Sequence, residues 1–151
     1  MATKHHNATH GMSKTNIYSV WNTMRGRCNN KSQHSYYLYG GRGIQVCDRW
    51  RSFDNFFADM GESYVEGLQL DRIDTDKNYT LENCRWATAR ENQNNKRNNR
   101  HFTINGVSKT LSQWIDEAVV KSSTVRQRFY VMGWSVEDAL FVPKGSRRIA
   151  S

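Results

Sequence analysis

The sequence predicts an α+β fold built around a small strand, loop, strand, helix unit over residues 68–98, with helices before it and a hairpin and short helices after it. Three observations carry that expectation. Ile17, Val20, Trp21 and Met24 recur at the spacing of one helix face. Thr88, followed three residues later by Glu91, forms the capping-box pattern that opens a helix directly behind the short run from Cys84 to Ala87. Asn105-Gly106 is a strong signal for a two-residue hairpin turn, where both positions need positive φ.

Taken in order, residues 1–12 are polar, contain His5, His6 and His10, and read as a flexible lead-in. A helix is expected over 13–27, with Ser13 or Thr15 as its cap. Gly40-Gly41-Arg42-Gly43 reads as a close-packed turn into a strand over 43–47. Because no Lys-Ser or Lys-Thr follows it, a nucleotide-binding loop is not expected. A second helix over 52–60 would bury Phe53, Phe56, Phe57 and Met60. Strands over 68–73 and 84–87, joined by a polar loop through Tyr79, then lead into a helix over 88–98. A hairpin over 102–109 precedes helices over 111–119, 123–132 and 135–140, which together resemble a small helix-turn-helix. Trp21, Trp50, Trp86 and Trp114 fall within apolar patterns and read as core. The expected division is a lead-in to residue 12, a main unit over 13–100, a C-terminal module over 101–142 and a tail over 143–151.

A chain of 151 residues can hold one modest core with an appended module, but not two large domains. Its 37% hydrophobic and 24% charged content suits a folded protein, and 12% aromatics supply large faces to bury. The net charge of +8 and a pI near 9.6 favour a polyanionic partner, because Lys and Arg beside phosphates release condensed counterions. No apolar run approaches the roughly 20 residues that span a bilayer, and the first residues lack the apolar core of a signal peptide. A soluble cytoplasmic protein with no membrane partner is therefore expected. Three cysteines, an odd count, argue against a disulfide framework. Cys28, Cys47 and Cys84 read either as buried thiols or, with His10 or His34, as ligands of a structural zinc, although no CxxC pair is present.

Charge is segregated along the central unit. From Gly61 to Asn83 six acids face two bases, a net −4, whereas from Cys84 to His101 five bases face one acid, a net +4. An acidic pocket beside a basic shoulder suits a divalent cation that joins carboxylates to a phosphate. Asp71, at the end of the first strand, and Asn92, one turn into the following helix, can converge on one such oxygen-seeking ion, with Asn95 as a lesser alternative.

The spacing of Asp71, Arg72, Asp74, Tyr79, Asn83, Arg85, Ala87 and Asn92 resembles the HNH, or ββα-metal, nucleases. HGMSKTNIYSVW, YGGRGIQVCDRW and LENCRWAT are similar to phage and bacterial members of that family, so the resemblance covers residues 10–100. It implies a ββα-metal core in which Asp71 and Asn92 hold magnesium or manganese and Asn83 orders the loop. Arg72 stands where the family's general-base His is usual, and an arginine cannot accept a proton. The pattern is closer to the tyrosine variant found in the PacI restriction endonuclease, which implies that Tyr79 activates the attacking water. A nearby cation, Arg72 or the metal, is expected to favour the phenolate. His10 would serve as an acid or auxiliary base if it reached the site, and is otherwise an inert residue of the lead-in.

The activity so implied is hydrolysis of phosphodiesters in double-stranded DNA, in the site-specific manner of a homing or restriction enzyme. Arg42, Arg85, Lys96, Arg97 and Arg100 are candidate phosphate contacts, and the expected helix over 123–132 carries Arg126 and Arg128 as candidates for the major groove. The rival readings are a DNA-binding phage protein that keeps the scaffold without cutting, and an RNA-binding or regulatory protein.

Overall fold

The computed structural model describes residues 11–146 as two compact units, the first ending at Asn95 and the second beginning at Lys96. The mixed α+β character expected from the sequence is present, with short helices and two small antiparallel sheets. His5, His6 and His10 lie outside the described residues. Among the described residues no helix is long and apolar enough to cross a membrane.

The first unit is organised by helix α1, Asn16–Asn29, which Thr15 caps by accepting the N–H of Tyr18. Its face of Ile17, Trp21, Met24 and Cys28 is buried against Ile44, Trp50, Phe53, Phe56, Met60 and Tyr79. Aromatic side chains can fill such a core only if their polar ends find partners. Here Trp21 donates to the carbonyl of Trp50, Trp50 to Asp59, and Trp86 to the carbonyl of Met60, each at 2.8 Å. Helix α2, Phe53–Met60, buries Phe53, Phe56 and Met60, whereas Phe57 remains 39% exposed. Gly40 lies directly against α1, since a Cβ there would stand 2.1 Å from the carbonyl oxygen of Cys28.

The strand expected over 43–47 is not formed. Gly43 turns the chain at φ 85°, a 3-10 helix begins at Asp48, and a single parallel bridge joins Val46 to Tyr79. The backbone groups of this segment instead serve the 74–79 loop, with Tyr79 N–H donating to Gln45 and Cys47 N–H to Tyr79. Strands β1, Gln69–Arg72, and β2, Cys84–Ala87, pair antiparallel with Asp71 opposite Arg85. Helix α3, Ala89–Asn94, follows β2 and lies against both strands. Its start is the Thr88–Glu91 capping box, with both reciprocal hydrogen bonds made. It stops four residues short of the expected end, because asparagine side chains compete for backbone groups and weaken a helix interior.

In the second unit, β3, His101–Ile104, and β4, Val107–Thr110, form a hairpin whose turn residues Asn105 and Gly106 have φ 50° and 77°. Thr110 and Gln113 form a second capping box that opens α4, Leu111–Ile115. Helix α5, Ser122–Arg126, runs on as a wider π turn, Gln127–Val131, and α6, Val136–Phe141, closes the chain. These elements bury Ile104, Leu111, Trp114, Val125, Ala139 and Leu140 together.

Arg128 corrects a sequence expectation. It is 6% exposed, donates to the carbonyls of Ala139, Val142 and Pro143, and stacks its guanidinium 4.5 Å over the ring of Trp134. A cation satisfying the last carbonyls of α6 is a C-terminal cap and is not offered to phosphate. Arg128→Ala would remove the side-chain donor from those carbonyls, of which that of Pro143 also accepts the N–H of Ser146, and urea denaturation of the full chain should show a loss of roughly 1–3 kcal/mol.

Candidate active site on the β1–β2–α3 unit

Successive residues of a strand face opposite ways, so Asp71 and Arg72 at the end of β1 enter different surroundings. Both are buried, Asp71 at 4% and Arg72 at 7% exposure. Arg85, directly across on β2, donates from Nε to Asp71 Oδ2 at 3.1 Å and sets its Nη2 in an ion pair with the same oxygen at 3.1 Å. The Nδ2 of Asn95, just past the end of α3, lies 3.2 Å from each Asp71 carboxylate oxygen and 2.6 Å from the carbonyl oxygen of Arg72. Of the two carboxamides weighed from the sequence, Asn95 is therefore the one beside Asp71. Asn92 points elsewhere and donates to Gln69 Oε1 at 2.7 Å.

Arg72 donates to the carbonyl of Lys77 at 2.7 Å, and its guanidinium stands 5.2 Å from the Tyr39 ring and 4.9 Å from the Tyr79 ring. These two tyrosines stack with their planes 19° apart. The loop between the strands is braced by Asn83, whose Oδ1 accepts the N–H of Asp74 and whose Nδ2 donates to the carbonyls of Asp74 and Asn78. Asp74 in turn accepts the N–H of Asp76, which with Lys77 holds its carboxyl below the usual range.

Tyr79 is 3% exposed and belongs to the apolar core of the first unit. The expectation that a nearby cation favours its phenolate is corrected here. Arg72 and Arg27 do act in that direction, but desolvation by burial outweighs them and raises the phenol pKa well above its ordinary 10.0. Its ring nevertheless lines a cleft of about 440 Å³ between one face of α1 and the approach to β1, which also receives Thr23, Arg27, Gln69 and Asn92. Thus Tyr79 and Asn92 share the cleft, whereas Asp71 and Asn95 meet outside its lining.

The remaining candidates scatter. Arg42 is ion-paired to Asp76 and donates to the carbonyl of Leu38, so it is committed to the loop. Lys96, Arg97, Arg100 and Arg126 are exposed in the second unit, with Arg100 lying 5.1 Å over the ring of Phe102. Cys28 and Cys84 are buried and Cys47 half-buried, all as free thiols, while His34 is exposed. Burial raises the Cys28 thiol and pushes Cys84 up to about 12, which opposes the thiolate a metal would need. Among the described residues no three His, Cys, Asp or Glu side chains gather as a metal site.

Two contributors escaped the sequence reading. Tyr39, just before the glycine turn, carried no signal beyond its aromatic ring, and Arg27 was legible only as a cation in the last turn of α1. No family model, curated protein or solved structure matches this chain.

The buried acids give a pH signature. Tyr79 and Cys84 hold their protons more tightly folded than unfolded, so this stabilisation is complete below their ordinary values of 10.0 and 9.0 and is lost as the pH rises beyond them. Denaturant titrations between pH 8 and pH 11 should show stability falling from about pH 9. Tyr79→Phe should flatten the fall above about pH 10, and an unchanged slope would mean that the phenol ionises freely in the fold.

Proposed function

We propose that this protein is a metal-dependent DNA endonuclease of the HNH type. The observation that carries the reading is the convergence of Asp71 from β1, Arg85 from β2 and Asn95 just past α3, on a unit whose Gln69 and Asn92 also line a cleft with Tyr79 and Arg27. One carboxylate beside a carboxamide is a donor set suited to a hard divalent ion once the Asn95 amide, which here turns its Nδ2 to Asp71, rotates to offer its oxygen. Its neutralising partner Arg85 is 48% exposed, so the same guanidinium that pairs with Asp71 also faces solvent.

Asp71 with Asn95, or with Asn92 after reorientation, would hold magnesium or manganese, which when bound offsets the charge that develops on the phosphate and its leaving oxygen. Arg85 and Arg27 attract the phosphodiester. Arg72 fixes Tyr79 from the core side. Tyr79 presents a protonated hydroxyl at neutral pH and takes up the water proton only in its rarer ionised form. Cleavage should therefore climb about tenfold per pH unit toward alkaline pH. A flat profile in wild type, or a Tyr79→Phe variant that keeps the slope, would move proton abstraction to another group.

Nicking of supercoiled plasmid in magnesium or manganese tests the activity itself. Asp71→Ala should lower the rate by roughly a hundredfold or more. The second reading, a DNA-binding protein that does not cut, is favoured by the full engagement of Asp71 by Arg85 and Asn95 and by the burial of the Tyr79 phenol. Purified protein that retards duplex DNA yet leaves it intact with either metal would decide for that reading.

A further inference from the structure

We propose that the exposed face of α5 and its continuation, formed by Ser123, Arg126, Gln127 and Tyr130, reads base edges in the major groove of duplex DNA and supplies this protein's sequence preference. The inference rests on DNA being the partner, and it deepens that reading by naming the surface that selects the target. The two arginines of this segment have opposite fates. Arg128 turns inward to cap α6, whereas Arg126 is exposed and makes no ion pair among the described residues. Val125 is fully buried, so the helix is held to its unit from one side by an apolar anchor and the buried guanidinium together. Its outer side chains are thus presented on a fixed rod, the condition for reading a pattern.

The outer side chains have the right chemistry for that task. Arginine pairs in bidentate fashion with the O6 and N7 of guanine, and glutamine with the N6 and N7 of adenine. The Ser123 and Tyr130 hydroxyls can donate or accept. Next to them Val131 is 78% and Met132 54% exposed, apolar groups able to meet a thymine methyl. An α-helix such as Ser122–Arg126 fits the major groove, which is about 12 Å wide, and the π turn that follows carries Gln127 and Tyr130.

Charge selects the occupant. From Lys96 to Ser151 there are ten Lys and Arg against four Asp and Glu, so +6 of the chain's +8 belongs to this unit. Of the four acids, Glu117 is paired to Lys109, and Glu137 and Asp138 lie in the first turn of α6. Such a balance draws the unit to a polyanion rather than to an acid-poor protein surface.

The test is enrichment of bound sequences from a random duplex library by the full-length protein, in calcium to suppress cutting, with wild type and an Arg126→Ala/Gln127→Ala variant run in parallel. Wild type should enrich a consensus. The double variant, with the circular dichroism and melting transition of wild type, should lose preference at one or two adjacent base pairs by about 5- to 150-fold while keeping salt-sensitive binding to unselected duplex. A double variant that enriches the same consensus with equal affinity, or a wild type that enriches none, overturns the proposal. Selective binding without any cleavage in magnesium or manganese would overturn the endonuclease reading and leave this one standing. A chain that binds no duplex overturns both.

Discussion

Two opposite charges buried side by side at the end of β1 set the constraint that the first unit is built to satisfy. Removing an aspartate and an arginine from water costs several kcal/mol per ion unless each finds close partners. A strand sends the two side chains to opposite faces, so they cannot simply pair with each other. Asp71 takes its partners from β2 and from the end of α3, through Arg85 and Asn95. Arg72 takes a loop carbonyl and two tyrosine faces, which supply electrostatic attraction without a second carboxylate. Satisfying these neighbours therefore draws strand, loop, helix and the segment around Tyr39 toward one point. The loop does not depend on Arg72 alone, because Asn83 ties its two ends with three hydrogen bonds.

The same arrangement sets the chemical character of the site. A phenol flanked by guanidinium groups is drawn toward ionisation, and a phenol in an apolar core is held neutral. Here burial prevails, so proximity to a cation was the wrong quantity to weigh alone. A protein that used Tyr79 to move a proton would operate with a small reactive fraction at neutral pH. The surroundings that limit this fraction also fix the ring, since Arg72 and Tyr39 leave it little freedom. Rigidity and ionisation thus oppose each other at this residue.

How much of this was legible depended on range. Local signals were read well: the Thr88–Glu91 box opens α3, and Asn105-Gly106 turns the hairpin with both residues at positive φ. Each is decided by residues three or fewer positions apart. The strand expected over 43–47 failed because its backbone found a loop and not a strand to pair with, a long-range fact absent from its own composition. The same applies at the site. Asp71 was identifiable from its place in the motif, but which of the carboxamides Asn92 and Asn95 meets it depended on where α3 ends, and helix ends are the least determined part of a local pattern. Arg126 and Arg128 were indistinguishable as letters in a basic helix until α6 supplied the carbonyls that claim one of them.

That division between the arginines carries a wider consequence for reading basic proteins. A guanidinium that saturates carbonyls at a helix end is lost to any ligand, yet it still counts toward net charge. Formal charge therefore overstates the cations available to a polyanion, here by Arg42 and Arg128 at least, which are committed to Asp76 and to the end of α6. What remains available in the second unit includes the exposed Lys96, Arg97, Arg100, Lys121 and Arg126. In the first unit Arg85 is the cation whose present partner, Asp71, is also the carboxylate proposed above to hold a divalent ion. If Asp71 held such an ion, Arg85 would lose its carboxylate partner, and its half-exposed guanidinium would be the group of the first unit left to pair with a phosphate.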